Sequence, residues 1–189
     1  LLAASLHLLS FERGRDRAPA DFAITLSGIF YIGLLASYLL LLRGLPSGNW
    51  WLLLTLFSVW LADSGAYFLG TRFGRHKMTP RLSPKKSWEG YIAGILTAAI
   101  GAPLFLLLFR QLGAPGGGEI AILQVAWLGF FIGLLTILGD LTASMIQSYV
   151  GLKDSSQLFP GHGGMLDRMD SWLWAFPIGY YLISELFLN

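Results

Sequence analysis

Long apolar runs separated by short polar segments dominate the chain. A helix that crosses the hydrocarbon core of a membrane needs about 20 apolar residues, and each run approaches or reaches that length. Apolar and polar positions do not alternate within the runs, which argues against the strands of a membrane barrel. Helices also satisfy their own backbone hydrogen bonds in lipid. The five predicted spans are residues 22–42, 44–62, 90–109, 120–139 and 171–188.

Two of these spans are predicted to extend beyond their apolar parts. The second begins near Trp50 and continues past Asp63 towards Gly70, and the fourth runs on as helix through Asp140 towards Val150. Residues 1–9 look like the end of a further span. The sequence therefore predicts an all-α, polytopic membrane helical bundle of about five transmembrane helices, with a truncated N-terminal helix remnant.

We interpret residues 1–189 as a single membrane domain that forms the C-terminal part of a longer chain. In this interpretation, residues 1–62 carry partial N-terminal helices and residues 63–189 carry the catalytic region.

Composition supports membrane insertion and excludes several other classes. The chain is 54% hydrophobic and only 13% charged, with a mean hydropathy of +0.61, well outside the averages of soluble domains. The formal net charge of +2 is too small to indicate a nucleic-acid partner. Because the chain has no Cys, disulfides and Cys-ligated metals are excluded.

The distribution of Lys and Arg predicts how the bundle is oriented. Successive polar segments hold three of these residues in 11–21, one in 43–49, six in 72–89, one in 110–119 and two in 140–170. The positive-inside rule places the first, third and fifth segments in the cytoplasm. The basic segment 72–89 and the carboxylate-rich segment 140–170 are therefore expected on one face. Contact with anionic lipid headgroups alone would also explain the basic segment.

Carboxylates in the last third of the chain are candidates for metal binding. Asp167 and Asp170 are three residues apart, so on a helix they share a face and can hold one or two divalent cations. Asp140 and Ser144 likewise share a face, and oxygen ligands favour Mg²⁺ or Mn²⁺. Asp140 follows a long apolar run, where a charge is costly and indicates function. Capping or solvation of the last helix remains the alternative for Asp167.

Two further features lie in segments that are otherwise apolar or glycine-rich. Asp63 lies inside the second span, where it either pairs with another helix or takes part in chemistry. The glycines around His162 allow a ligand to approach the backbone closely, although His162 by itself favours a structural hydrogen bond over a catalytic role. The sequence contains neither a Walker lysine motif nor a dinucleotide fingerprint.

Taken together, these motifs resemble the phosphatidate cytidylyltransferase (CDP-diacylglycerol synthase) family. Its long signature runs from a Ser to an Asp 26 residues later, which corresponds here to Ser144 and Asp170. The resemblance extends from Asp63 to the C-terminus. Matching positions within the signature are Lys153, Asp154, Pro160, His162, Gly163, Gly164, Asp167, Arg168 and Asp170; matching positions upstream are Asp63 to Tyr67, Phe73, Gly74, Ser83, Pro84, Lys86, Ser87, Glu89 and Gly90.

The resemblance implies transfer of a cytidylyl group from CTP to phosphatidate, giving CDP-diacylglycerol and pyrophosphate. It implies Mg²⁺ as cofactor, with one or two ions, and no nucleic-acid partner. The expected location is a bacterial inner membrane, with the active site at the cytoplasmic face, and a homodimer is one allowed assembly. The implied catalytic residues are Asp140, Ser144, Lys153, Asp154, His162 and Arg168; the substrate-binding residues are Asp63, Lys86, Glu89, Gly163 and Gly164; the metal ligands are Asp140, Asp167 and Asp170.

The chain departs from the family signature at one place. Adjacent Lys and Arg are usual where this chain has Gln147 and Ser148. Helical spacing puts Gln147 on the face of Asp140, so the departure is expected to lower CTP affinity or activity itself. The alternatives are a CTP-dependent lipid-alcohol kinase, a catalytically silent paralogue, or a transporter that uses Asp63 and Asp140 as intramembrane ion sites.

Overall fold

The computed structural model describes residues 1–113, 120–151 and 166–188, without the side chains of Val150 and residues 166–168. The described chain consists of α-helices and one small antiparallel hairpin. The helices are α1 Leu2–Glu12, α2 Ala18–Gly44, α3 Gly48–Phe73, α4 Trp88–Gln111, α5 Ile122–Leu135, α6 Ile137–Val150 and α7 Leu166–Tyr181, which continues as a π-helical turn over Leu182–Phe187; the strands are β1 Lys77–Thr79 and β2 Ser83–Ser87.

The predicted polytopic helical bundle is confirmed. Within the described residues, four segments are long and apolar enough to cross a membrane: α2, α3, α4 and the combined run Ile122–Tyr149. The fifth predicted span corresponds to α7, which begins at Leu166 rather than at residue 171 and has 16 residues before its π-helical turn. A short apolar helix, α1, occupies the place of the predicted remnant.

Two local features differ from what the sequence predicted: one lies in a loop and one in a helix. The basic segment after α3 folds into the β1–β2 hairpin, which its run of Ser, Pro and Lys does not signal because it lacks an apolar alternation. The fourth span breaks at Thr136. The hydroxyl and the backbone N–H of Thr136 both donate to the carbonyl of Ile132, and the N–H of Gly139 donates to Thr136 O at 3.0 Å, a tighter turn that separates α5 from α6.

The apolar core fills one half of the bundle. It combines the first half of α3, including Trp51 and Leu54, with the second half of α4, including Leu106, and with Ile132 of α5. The opposite half, where α3 ends and α4 begins, contains the polar residues described below. Helix α2 packs at the side, where the indole N–H of Trp174 donates to the Tyr31 hydroxyl at 2.8 Å.

Small residues allow the helices of the polar half to approach closely. A Cβ on Gly94 of α4 would lie 2.6 Å from the carbonyl oxygen of Ala62 in α3, and one on Gly90 would lie 2.9 Å from the Gly70 Cα. A Cβ on Gly139 would lie 2.5 Å from Asp170 O. Membrane helices associate through such close packing because lipid supplies no hydrophobic driving force between them. The glycine at 139 thus brings the start of α7 against α6.

Substitution of Gly94 tests this packing. Gly94→Ala is expected to destabilise the protein by about 1–3 kcal/mol, as overpacking of a close contact does, and to lower the thermal unfolding midpoint in detergent. Gly28→Ala is the matched control, since a Cβ on Gly28 meets nothing within 4 Å. An equal change in both variants would contradict the close approach of α3 and α4.

Candidate active site

A cavity of about 780 Å³ lies in the polar half of the bundle. Its wall is built by the second half of α3, the hairpin, the first turns of α4, the break between α5 and α6, and the start of α7. The hairpin joins α3 to α4 at this end of the bundle. Lys86 of the basic segment therefore lines the same cavity as Asp140 and Asp170 of the carboxylate-rich segment.

Three carboxylates from three helices line the cavity together with a lysine. Asp63 comes from α3, Asp140 from α6 and Asp170 from α7, and Lys86 comes from β2. The ammonium of Lys86 forms an ion pair with the Asp140 carboxylate, and its Nζ is buried. Asp63 and Asp170 each interact electrostatically with both members of this pair. The four groups therefore form one charged cluster.

Each carboxylate is positioned by its own local sequence. Asp63 shares one face of α3 with Trp60 and Tyr67, at helical spacings of three and four residues. The hydroxyl of Ser144 lies 3.4 Å from Asp140 Oδ1. The backbone N–H of Ser171 donates to Asp170 Oδ1 at 2.6 Å, which fixes the rotamer of that carboxylate at the start of α7.

The structure brings together four of the residues implied by the resemblance and places a fifth beside them. Asp63, Lys86, Asp140 and Asp170 share the cavity, and Ser144 contacts Asp140. Glu89 lies outside the lining that the structure describes and bonds instead with His76 and its neighbour. The predicted roles of Lys153, Asp154, His162, Gly163 and Gly164, and of the side chains of Asp167 and Arg168, lie outside the described residues.

The cavity wall also includes aromatic and hydroxyl residues to which the sequence assigned no role. Trp60 and Trp172 approach each other with ring centroids 6.4 Å apart, and the Tyr91 hydroxyl donates to Leu134 O at 2.7 Å. Tyr67 lies within the upstream match to the family, and helical spacing from Asp63 is the signal that would have found Trp60. The remaining hydroxyl-bearing residues of the wall are Ser64, Thr71, Ser83, Ser87, Thr136 and Ser171.

The donor chemistry of the cavity fits Mg²⁺. Its candidate ligands are carboxylate oxygens, which this cation prefers. Among the side chains that the structure describes, no three His, Asp or Glu residues stand close enough to hold a metal ion. Asp140 and Asp170 provide two carboxylates at one cavity, and Asp167 lies one helical turn before Asp170. A complete ligand set would need that third carboxylate or substrate oxygens.

The fold and the site together define a class of protein: a polytopic helical membrane protein in which carboxylates and a lysine surround one cavity. The model of the cytidylyltransferase family matches residues 1–186. The chain therefore belongs to the cytidylyltransferase family, which confirms the family that the motifs indicated.

Curated relatives agree with this assignment. A phosphatidate cytidylyltransferase of Haemophilus influenzae is 46% identical over 136 residues, which cover 71% of this chain and 46% of that protein. One of Staphylococcus saprophyticus is 34% identical over 188 residues, covering 98% and 69%. One of Bacillus subtilis is 38% identical over 162 residues, covering 85% and 57%. The chain thus spans between 46% and 69% of the length of these relatives.

Proposed function

We propose that the protein containing this chain transfers the cytidylyl group of CTP to phosphatidate, forming CDP-diacylglycerol and pyrophosphate. One observation carries the proposal: the Lys86–Asp140 ion pair faces a single cavity with Asp63 and Asp170. The cavity lies in a bundle that crosses a membrane, where a lipid phosphate and a water-soluble nucleotide can meet. The names of the relatives support these substrates.

The reaction mainly requires that the negative charge of the two phosphate-bearing substrates be neutralised. The nucleophile is a phosphate monoester with a second pKa of about 6, so it is largely deprotonated at neutral pH and needs no strong general base. Its oxygen attacks the α-phosphorus of CTP, and the bond to pyrophosphate breaks. Lys86 is placed to offset phosphate charge in the cavity, and the resemblance adds Lys153 and Arg168 to this role.

The proposed cofactor is Mg²⁺, held by Asp140, Asp170 and Asp167. When bound, the cation would offset the negative charge of the two phosphate groups as they approach. The carboxylates have a second effect that needs no metal bound: they hold the ammonium of Lys86 in the cavity. Ser144 donates to Asp140 and helps to keep that carboxylate oriented.

The active site is proposed to face the cytoplasm of a bacterial inner membrane. The cavity includes Ser83, Lys85 and Lys86 of the basic segment, which the positive-inside rule places on that side. CTP is a cytosolic compound, so this orientation gives it direct access. A homodimer remains a compatible assembly.

The proposed activity is tested on the full-length membrane protein with labelled CTP, Mg²⁺ and phosphatidate. We expect CDP-diacylglycerol and pyrophosphate to appear together in equal amounts. Release of CDP without pyrophosphate, with a lipid alcohol as acceptor, would instead identify a lipid-alcohol kinase. Formation of neither product would leave the silent paralogue or the transporter.

One observation favours the silent paralogue as second candidate. Gln147 and Ser148 lie in α6 where the family signature usually carries Lys and Arg, and Gln147 follows Asp140 by two helical turns. If the wild type forms no product, CDP-diacylglycerol synthesis by the double variant Gln147→Lys/Ser148→Arg would show that the departure disabled an otherwise intact site. If the wild type is active, the double variant is expected to lower the KM for CTP by about tenfold, the effect of one added charge-assisted hydrogen bond. Leu123→Lys/Gln124→Arg on α5 is the control for added charge. An unchanged KM would show that these positions do not adjoin the nucleotide.

A further inference from the structure

Glu89 fastens the end of α3 to the start of α4. Its carboxylate accepts hydrogen bonds from the backbone N–H groups of Arg75, at 3.1 Å, and His76, at 3.2 Å. The same carboxylate lies 2.5 Å from Nδ1 of His76. Hydrogen bonds to a charged acceptor are roughly twice as strong as neutral ones. Glu89 thus uses both of its oxygens on the two residues that precede the hairpin.

Further contacts close the base of the hairpin at the same place. The N–H of Trp88 donates to the carbonyl of His76 at 3.0 Å, and Lys77 is the Cα partner of Ser87 in the sheet. The Ser87 side chain caps α4 by accepting from the N–H of Gly90 at 3.2 Å. A Cβ on Gly74 would lie 2.4 Å from the same Ser87 oxygen. These contacts join the two ends of the hairpin at its base.

Lys86 is the residue before Ser87 in β2, and its ammonium reaches across to Asp140 of α6. A lysine side chain is long and loses about 2 kcal/mol of rotamer entropy when held in one geometry. Its position therefore depends on where the strand anchors its backbone. A displacement of about 1 Å of a group that orients reactants can cost about 100-fold in rate.

We propose that Glu89 is a positioning residue: with His76 it holds the base of the hairpin and thereby places the Lys86 ammonium in the cavity. The consequence for catalysis rests on the proposed function. The clasp, by which we mean the hydrogen bonds of Glu89 with Arg75 and His76, forms in the protein without substrate. The positioning role replaces the substrate-binding role that the resemblance implied for Glu89. A substrate ligand would be expected to point into the cavity, but both oxygens of Glu89 bond to Arg75 and His76.

The first test needs no substrate. Trypsin cleavage after Arg81, an exposed residue of the hairpin, is followed in the full-length protein in lipid nanodiscs. Glu89→Ala is expected to accelerate cleavage about tenfold, since losing hydrogen bonds to a charged group favours local opening by that order. Glu89→Gln, which keeps one acceptor oxygen, is expected to fall between. Glu12→Gln, at the exposed end of α1, is the control. Unchanged cleavage in Glu89→Ala would overturn the clasp.

His76 provides an independent check of the same contact. His76→Asn retains an N–H donor near the position of Nδ1, whereas His76→Ala does not. The clasp predicts cleavage close to wild type for the Asn variant and faster cleavage for the Ala variant. Equal cleavage of the two variants would show that the imidazole contact does not hold the hairpin.

The second test asks whether Glu89 acts through Lys86. In a double-mutant cycle on kcat, the single variants Glu89→Gln and Lys86→Ala are each expected to lower turnover. If Glu89 acts only by placing Lys86, adding Glu89→Gln to Lys86→Ala produces no further loss. If the fold-loss of kcat in the double variant instead equals the product of the two single losses, the positioning role of Glu89 is overturned. The proposed function fails separately, by absence of product in the wild type, and the trypsin test then still decides the clasp.

Discussion

Asp170→Asn is expected to lower turnover by about two to three orders of magnitude, the size of loss that follows removal of one preorganised group that stabilises transition-state charge. Asp170 lines the cavity beside Asp140 and Lys86 and is one of the proposed metal ligands. The amide keeps the oxygen that accepts from Ser171 N–H, so the local backbone bond survives. The measurement is kcat for CDP-diacylglycerol formation across a Mg²⁺ titration.

The Mg²⁺ titration separates a metal ligand from a structural carboxylate. A ligand lost to Asn should also raise the Mg²⁺ concentration needed for half-maximal rate, whereas a purely structural carboxylate should lower stability and leave that concentration unchanged. Asp21→Asn, on the exposed first turn of α2, is the matched control. Turnover near wild type in Asp170→Asn would remove Asp170 from the metal site.

Lys86→Met is expected to cause a comparable loss of turnover, for a different reason. The variant removes the ammonium that offsets charge in the cavity and leaves the Asp140 carboxylate without its ion-pair partner. Breaking a buried pair by removing one partner also destabilises a protein, commonly by about 3–5 kcal/mol when the pair is fully buried. Here the side chains retain 21% and 39% of their exposure, so we expect a smaller destabilisation. Both kcat and the unfolding midpoint in detergent are measured.

A double variant separates the effect of Lys86→Met on turnover from its effect on stability. Lys86→Met/Asp140→Asn removes both charges, so stability should recover relative to Lys86→Met while turnover stays low. Lys85→Met is the control: Lys85 also borders the cavity but is exposed. If Lys86→Met alone retained wild-type turnover, the ammonium would have no part in the chemistry. Recovery of turnover in the double variant would show that Lys86 serves only to neutralise Asp140.

The membrane helices were predictable because their signal is local. A run of about 20 apolar residues corresponds to the thickness of the hydrocarbon core, and α2, α3 and α4 lie where the runs predicted them. The structure departs from the predicted helices where local sequence signals compete or are weak. The fourth span stays apolar through Thr136, yet the threonine hydroxyl bonds to the carbonyl one turn earlier and a tighter turn follows.

Part of the candidate site was also predictable. Asp63 and Asp140 stood out because a carboxylate within or directly after an apolar run is costly in lipid, and both line the cavity. The charge pattern of the basic segment, by contrast, did not distinguish among its six cations, and only the family resemblance singled out Lys86. Only Lys86 of that segment forms an ion pair with a cavity carboxylate in the described structure, because the hairpin turns its strand towards α6.

By itself the sequence determined the class of protein, the places of α2, α3 and α4, and the family, since these depend on composition and on spacings within short segments. Tertiary structure decided which charges meet. Asp63, Asp140 and Asp170 come from three different helices and share one cavity. Gly139 lets α6 and α7 approach closely, and Gly94 lets α4 pack closely against α3. The hydrogen-bond partners of Glu89 were decided in the same way, since Arg75 and His76 lie across a hairpin that no local sequence pattern predicted.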